Sequence, residues 1–145
     1  MYYLDTSFIT PLLLNEATSS DVEAFVGKLP AGSLHISHWT VLEFASVIAR
    51  EVRMKNLSEV GARAVLNEFD NLVSDSLNVL TPTVADFSLA RDYIERFETG
   101  LRGGDALHLA VAANQGAKTI LTLDSGLLDA GKLLKLPVTR GIKAL

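Results

Sequence analysis

Hydrophobic residues along the chain follow two alternating patterns: short apolar runs, and longer stretches with an apolar residue every three to four positions. The short runs predict strands, and the longer stretches predict amphipathic helices. The predicted strands cover residues 1–4, 34–37, 77–80, 119–123 and 136–139. The predicted helices cover residues 20–29, 40–55, 58–72, 83–97 and 105–114.

Capping signals mark where several of these helices begin and end. Ser20 precedes Glu23 by three positions, and Thr83 precedes Asp86 by the same spacing. Each pair predicts a capping box, in which the two side chains accept hydrogen bonds from free backbone N–H groups. Gly116 is predicted to follow the end of the fifth helix, since glycine is favoured just after a helix.

Strands and helices alternate through the chain, which predicts a parallel sheet covered by helices on both faces. We therefore expect a three-layer α/β sandwich with about five strands, formed by a single domain over residues 1–145. Right-handed crossovers bring the carboxyl ends of the strands to one edge, and such sheets bind their ligands outside that edge.

The amino-acid composition limits which kinds of functional site the chain can form. The 145 residues are 48% hydrophobic and include no cysteine, which excludes disulfides, a thiolate nucleophile and a cysteine zinc site. Neither a signal peptide nor an apolar run of membrane-spanning length is visible, so we expect a cytoplasmic protein with no membrane contact. The net charge of −4 neither supports nor excludes a nucleic-acid substrate, because cations bound to an acidic site would cancel much of it.

Four acidic residues are candidates for a site at the sheet edge. Asp5 and Asp124 directly follow predicted strands, Asp105 follows two glycines at a predicted helix start, and Glu43 lies on a partly apolar helix stripe. A carboxylate there is costly unless it is paired or bound to a cation. The alternatives are caps or turns for the three aspartates, and a solvated edge position or a contact with Arg50 for Glu43. Their shared edge indicates a functional cluster.

The histidines do not predict a zinc site. His35 and His38 are three positions apart in an extended segment, so their side chains should point to opposite faces. His108 is one helical turn after Asp105, and we expect it to be a hydrogen-bonded histidine of the core or its rim. Asp129 is expected at a surface position of a helix.

A cluster of carboxylates without cysteine or paired histidine suits a hard cation, Mg²⁺ or Mn²⁺. Without an ion the acids would repel one another, and some of their pKa values would rise. We expect Asp5 and Asp105 to be the main ligands. Glu43 and Asp124 are expected to hold a second ion or to orient the attacking water.

The four acids and their neighbours resemble the PIN-domain nucleases, and specifically the VapC-like toxins of prokaryotic toxin–antitoxin pairs. The matching segments are Tyr3-Leu4-Asp5-Thr6-Ser7, Leu42-Glu43-Phe44-Ala45, Gly104-Asp105-Ala106-Leu107-His108-Leu109-Ala110 and Leu121-Thr122-Leu123-Asp124. The resemblance implies endonucleolytic cleavage of RNA at a Mg²⁺ or Mn²⁺ site. The positions that match the family's acids are Asp5, Glu43, Asp105 and Asp124, and Ser7 matches a small hydroxyl residue beside the first acid. Family members often carry an aromatic residue shortly after the fourth acid, where this chain has Leu127 and Leu128.

The resemblance also implies a cognate antitoxin that packs near the site, and we expect a homodimer. Apolar residues after the first strand could contact the antitoxin or a second copy, or they could belong to the core. These residues are Phe8, Ile9, Leu12, Leu13 and Leu14.

Two other functions are open at this point. One is a phosphatase of the haloacid dehalogenase type with Asp5 as nucleophile, although that motif has a second aspartate where this chain has Ser7. The other is a non-catalytic binding module in which the acids only cap helices and turns.

Overall fold

Five parallel strands form the centre of the molecule in the computed structural model, which describes residues 1–143. They are β1 (Tyr2–Leu4), β2 (Leu34–Ser37), β3 (Asn78–Leu80), β4 (Thr119–Leu121) and β5 (Val138–Thr139). Their order across the sheet is β3-β2-β1-β4-β5, so β1 is the central strand. Residues 144 and 145, where the predicted domain ends, lie outside the described residues.

Seven α-helices connect and cover these strands within residues 1–143. They are α1 (Thr6–Leu13), α2 (Ser19–Val26), α3 (His38–Arg53), α4 (Glu59–Ser76), α5 (Val84–Glu95), α6 (Gly103–Asn114) and α7 (Ser125–Leu133). A 3-10 turn at Phe97–Thr99 lies between α5 and α6. The predicted α/β fold with a five-stranded parallel sheet is confirmed.

Apolar side chains form one core on each face of the sheet. Alternation along the strands directs Leu4 and Leu121 into the core shared with α1 to α4, and Tyr3 and Ile120 into the core shared with α5 to α7. These two buried layers hold the strand ends in a fixed position, which determines where the acids lie.

The apolar residues after β1 belong to the first of these cores. Phe8 and Ile9 are fully buried, and Leu12, Leu13 and Leu14 are partly buried against the same cluster. They are therefore core residues and not a free contact surface.

Two helices, α1 and α7, were not among the predicted ones. Pro11 lies inside α1, and α7 contains Gly126 and Gly131, all residues with a low intrinsic preference for helix interiors. These helices are stabilised by packing rather than by helix propensity, because Phe8 of α1 and Leu127 of α7 are fully buried.

The capping box predicted at Ser20 and Glu23 is wrong. Helix α2 begins at Ser19, so Ser20 already lies inside it, and the N-cap residue Thr18 makes no side-chain capping bond. The capping box at Thr83 and Asp86 is present at the start of α5.

Gly116 lies just after the end of α6 with φ of 70°, the left-handed conformation that favours glycine there. This agrees with the predicted helix end. Among the described residues, no helix is both long and apolar enough to cross a lipid bilayer.

Candidate active site

The carboxyl ends of β1 and β4 lie side by side, because Leu4 pairs with Leu121 in parallel register. The backbone N–H of Asp5 donates to the Leu121 carbonyl at 3.1 Å. Each strand leads into a helix, and the residue at the junction is an acid: Asp5 before α1 and Asp124 before α7. The sheet therefore brings these two acids to one edge, as the sequence predicted.

Asp5 is buried and surrounded by donors. Its Oδ1 accepts from the Ser7 hydroxyl at 2.7 Å and from the Phe8 N–H at 3.1 Å, and its Oδ2 accepts from the Thr122 hydroxyl at 2.6 Å. Burial raises the pKa of Asp5, while the charge of His108 and these hydrogen bonds act in the opposite direction. Asp5 is thus a helix cap, which was one alternative for it, and also an acid fixed by three hydrogen bonds at the sheet edge.

Ser7 joins the two strand–helix junctions. While its hydroxyl donates to Asp5, the same oxygen accepts from the backbone N–H groups of Leu123 at 2.8 Å and Asp124 at 3.2 Å. Asp124 itself is exposed and caps α7, since its Oδ1 accepts from the Leu127 N–H at 2.8 Å. The Thr122 hydroxyl makes a second bridge, donating to Asp5 Oδ2 and accepting from the Asp124 N–H, so two hydroxyls join the first and fourth acids.

Glu43 reaches the site from α3, and His108 and Thr6 hold it. Its Oε1 accepts from His108 Nε2 at 2.8 Å and from the Thr6 hydroxyl. Burial alone would raise the pKa of Glu43, but the hydrogen bond and charge of His108 and the hydrogen bond from Thr6 lower it below its usual value. Among the described residues no ion pair joins Glu43 to Arg50, so that alternative is wrong.

Asp105 is the third residue of α6 and not its cap, because the helix begins at Gly103 with Arg102 as N-cap. Its half-buried carboxylate accepts no hydrogen bond from any of residues 1–143. Burial and the charges of Asp124, Asp5 and Glu43 raise the pKa of Asp105 to about 6, against a smaller opposite effect of His108. Asp105 thus interacts electrostatically with the other three predicted acids.

Gly104 allows α6 to approach α3 closely. A Cβ at this position would lie 2.9 Å from Trp39 Cζ2 and 3.3 Å from Glu43 Oε2, and the Gly104 carbonyl accepts from Trp39 Nε1 at 3.1 Å. The absence of a Cβ at Gly104 therefore permits the close approach, whereas a Cβ at Gly103 would meet nothing within 4 Å.

His108 is a buried, hydrogen-bonded histidine, as expected, but its contact with Glu43 was not predicted. Burial alone would lower the pKa of His108, but Tyr3, the hydrogen bond to Glu43 and the charges of Asp5 and Glu43 raise it above its usual value. Sequence reasoning also missed Thr6 and Thr122. The available signal was the position of His108, one turn after Asp105 on the same side of the helix.

As the side chains stand, no group of three or more Asp, Glu or His residues within 1–143 is arranged to hold a metal ion. The donor set nevertheless fits a hard divalent cation, since it consists of carboxylate oxygens. Each carboxylate has about four acceptor positions, and both oxygens of Asp105 and Oε2 of Glu43 accept no hydrogen bond from the described residues. A cation would relieve the repulsion that raises the pKa of Asp105.

An apolar cleft of about 710 Å³ adjoins the acids on the side of α3, α5 and α6. Gly104, where a Cβ would lie 3.3 Å from Glu43 Oε2, also lines the cleft. Leu42 and Phe87 on its walls are 61% and 58% exposed. Asp129 lies on the exposed side of α7, as predicted.

The family model of the PIN domain matches residues 2–133 of the chain. No curated protein matches it. Among solved structures, VapC20 of Mycobacterium tuberculosis, described as a toxin that cleaves the sarcin–ricin loop, superposes with a TM-score of 0.74 at 20% identity, over 90% of this chain and 95% of that one.

Two further structures are similar over nearly their whole length. FitAcB from Neisseria gonorrhoeae has a TM-score of 0.69 at 21% identity and covers 97% of this chain and 98% of its own. VapBC-1 from nontypeable Haemophilus influenzae has a TM-score of 0.70 at 16% identity and covers 97% of both chains. At these identities the likeness is one of fold.

Proposed function

The chain belongs to the PIN domain family, and we propose that it is a cytoplasmic, metal-dependent endoribonuclease that acts as the toxin of a toxin–antitoxin pair. One observation carries the proposal. The half-buried carboxylate of Asp105 accepts no hydrogen bond from the described residues, and it is repelled by the other three acids, Asp124, Asp5 and Glu43. Such an arrangement is costly unless a cation binds there.

We assign the acids distinct roles. Asp5 and Asp105 are the main ligands of Mg²⁺ or Mn²⁺, and Glu43 and Asp124 hold a second ion or orient the attacking water. When bound, the cation lowers the pKa of water and stabilises charge on the phosphate. Glu43 suits its role because its lowered pKa keeps it ionised near neutral pH. Ser7 supports the site by holding Asp5 and the backbone of Asp124 in place.

RNA is the proposed substrate. The similarity in fold to VapC20, itself described as cleaving the sarcin–ricin loop, supports this choice. Of the two other functions left open by the sequence, the phosphatase is not favoured, because Ser7 occupies the place of its second aspartate and is used here to hold Asp5.

An antitoxin segment is the proposed occupant of the apolar cleft beside Glu43. The exposed apolar side chains of Leu42 and Phe87 would be covered by an apolar stretch of such a partner. VapBC and FitAB structures are among the similar folds, which supports a partner of this kind. We also propose a homodimer, to which other exposed apolar residues such as Val84 and Phe97 could contribute.

The test is cleavage of a labelled RNA by the purified protein with Mg²⁺, with Mn²⁺ and with EDTA. We expect RNA cleavage to require the cation. The Asp105→Asn substitution should lower the cleavage rate at least ~100-fold, which corresponds to about 2.7 kcal/mol of transition-state stabilisation. Asp129→Asn, an exposed acid on α7, is the matched control and should retain full activity. Undiminished cleavage in EDTA, or by the Asp105 variant, would contradict the proposal.

A further inference from the structure

A chain of buried hydrogen bonds runs from β2 to Glu43 behind the acids. The Tyr3 hydroxyl lies 3.0 Å from Ser37 Oγ and 2.8 Å from His108 Nδ1, and His108 Nε2 lies 2.8 Å from Glu43 Oε1. Ser37, Tyr3 and His108 are each at most 1% exposed. We call these three residues the support chain.

Each contact of the support chain can be made in either protonation state of His108, with Nε2–H donating to Glu43. In the protonated imidazole Nδ1–H donates to the Tyr3 hydroxyl, which donates to Ser37 Oγ; in the neutral imidazole Nδ1 accepts from Tyr3, which accepts from Ser37. Buried polar groups without partners cost about 1–3 kcal/mol each, so these contacts depend on one another. Their common end point at the site is the carboxylate of Glu43.

The two oxygens of Glu43 have different surroundings. Oε1 accepts from His108 on α6 and from Thr6 on α1, so rotation of the carboxylate would break two contacts. Oε2 accepts no hydrogen bond from residues 1–143 and lies beside Gly104 at the start of α6, the turn that carries Asp105. The protein therefore holds one oxygen and leaves the other available.

We propose that His108 is a positioning residue that, with Tyr3 behind it, holds Oε1 of Glu43 so that Oε2 is presented to the metal site. The inference rests on the proposed metal-dependent function and divides its acids into two kinds. The support chain fixes the orientation of the Glu43 carboxylate before a metal ion binds, whereas the Asp105 carboxylate has no such restraint. Buried partners of this kind typically change metal affinity 10–100-fold when they are removed.

The first experiment measures the dissociation constant of Mn²⁺ alone by calorimetry, without RNA. His108→Leu should weaken Mn²⁺ binding roughly 10–100-fold, and Tyr3→Phe, which leaves the imidazole in place, roughly 3–10-fold. His108→Gln can still donate to Glu43 and should recover affinity to within about threefold of the original protein. Asn114→Ala at the far end of α6 removes a hydrogen bond to Asp86 and is the matched control, with unchanged affinity.

The second experiment tests the support chain without any metal. A double-mutant cycle of His108→Phe and Glu43→Met, each of which removes one partner of the hydrogen bond, followed by urea unfolding in EDTA, reports the coupling between the two side chains. We expect the two changes together to deviate from additivity by at least ~5-fold in the unfolding equilibrium constant. Both substitutions keep side chains of similar size, so the cycle can be completed even if His108→Leu does not fold.

The outcomes separate this inference from the proposed function. Coupling without any Mn²⁺ binding by the original protein would overturn the metal function, and with it the role of Glu43 as a presented ligand. Mn²⁺ binding that is equal in folded His108→Leu and the original protein would overturn the positioning role alone. Failure of His108→Gln to exceed His108→Leu in affinity, or additivity in the cycle, would also contradict it.

Discussion

Two neighbouring junctions, β1 to α1 and β4 to α7, have nearly the same local design. Each strand is followed by an aspartate that caps the next helix, with Asp5 Oδ1 accepting from the Phe8 N–H at 3.1 Å and Asp124 Oδ1 from the Leu127 N–H at 2.8 Å. Their environments differ, since Asp5 is 3% exposed whereas Asp124 is an exposed residue.

The position of each strand in the sheet accounts for the difference. β1 is central and has β2 and β4 as neighbours, so Asp5 is enclosed and receives a further donor from Thr122 at the end of β4. β4 is bordered on its outer side by the two-residue edge strand β5, and Asp124 follows three residues beyond its end. The same capping motif is therefore a buried acid at one junction and a surface acid at the other.

The largest expected effect separates the two acids by activity. Asparagine still caps a helix but loses the charge, so Asp5→Asn and Asp124→Asn should both fold. We expect single-turnover RNA cleavage to fall at least ~1000-fold for Asp5→Asn, about 4 kcal/mol, and roughly 10-fold for Asp124→Asn. Equal losses of cleavage activity in the two variants would show that burial does not determine which of the two acids matters more for activity.

The next effect concerns the Ser7 hydroxyl, one of the two that join the junctions. Ser7→Ala removes a donor to Asp5 and leaves the Leu123 N–H without its acceptor, whereas the Asp124 N–H keeps the Thr122 hydroxyl at 3.1 Å. The free energy of unfolding should fall by about 2 kcal/mol, measured by urea titration. Ser20→Ala on the exposed face of α2 is the control, with a change within about 0.5 kcal/mol. A loss no greater than that of the control would mean that Ser7 does not couple the junctions.

A smaller effect isolates the capping role of Asp124. Asp124→Ala removes the acceptor for the Leu127 N–H and should lower the free energy of unfolding by about 1 kcal/mol in metal-free buffer. Asp124→Asn should restore most of this, because the amide oxygen can also cap. If both variants lost the same stability, charge rather than capping would be the cause.

The smallest effect involves Asp105, which both junction acids repel. Its pKa is raised from 3.8 to about 6 on folding, so its ionisation costs stability as pH rises through this range. Asp105→Asn should therefore stabilise the metal-free protein at pH 7. Because solvent screens a half-buried group, we expect a gain below about 1 kcal/mol, or ~2 °C in Tm.

The gain should shrink as the pH falls from about 6 and disappear at about pH 3, below the unfolded pKa of 3.8, where Asp105 is mostly protonated in the folded and unfolded states alike. Thermal melts in EDTA at about pH 3 and pH 7 make the comparison. A variant less stable than the original protein at pH 7 would contradict the repulsion between Asp105 and the other acids.

Much of the architecture follows from local patterns. Alternating strand and helix periodicities indicated the five parallel strands and placed Asp5 and Asp124 at strand ends, because periodicity depends on neighbouring residues. Periodicity did not predict the short helices α1 and α7. There the burial of Phe8 and Leu127 outweighs the low helix propensity of proline and glycine. Asp105 was a candidate helix cap in the sequence, but α6 begins at Gly103, so Asp105 lies in the first turn of the helix.

The sequence by itself was enough to identify the acids and the edge on which they lie, and their catalytic roles remain predictions. The folded arrangement set which acid is buried, which is exposed and which is held by a partner. These properties depend on contacts between distant segments, such as Tyr3 with His108 across 105 positions and Asp5 with Thr122 across 117. Local sequence carries no record of such contacts, since strand order and helix packing create them.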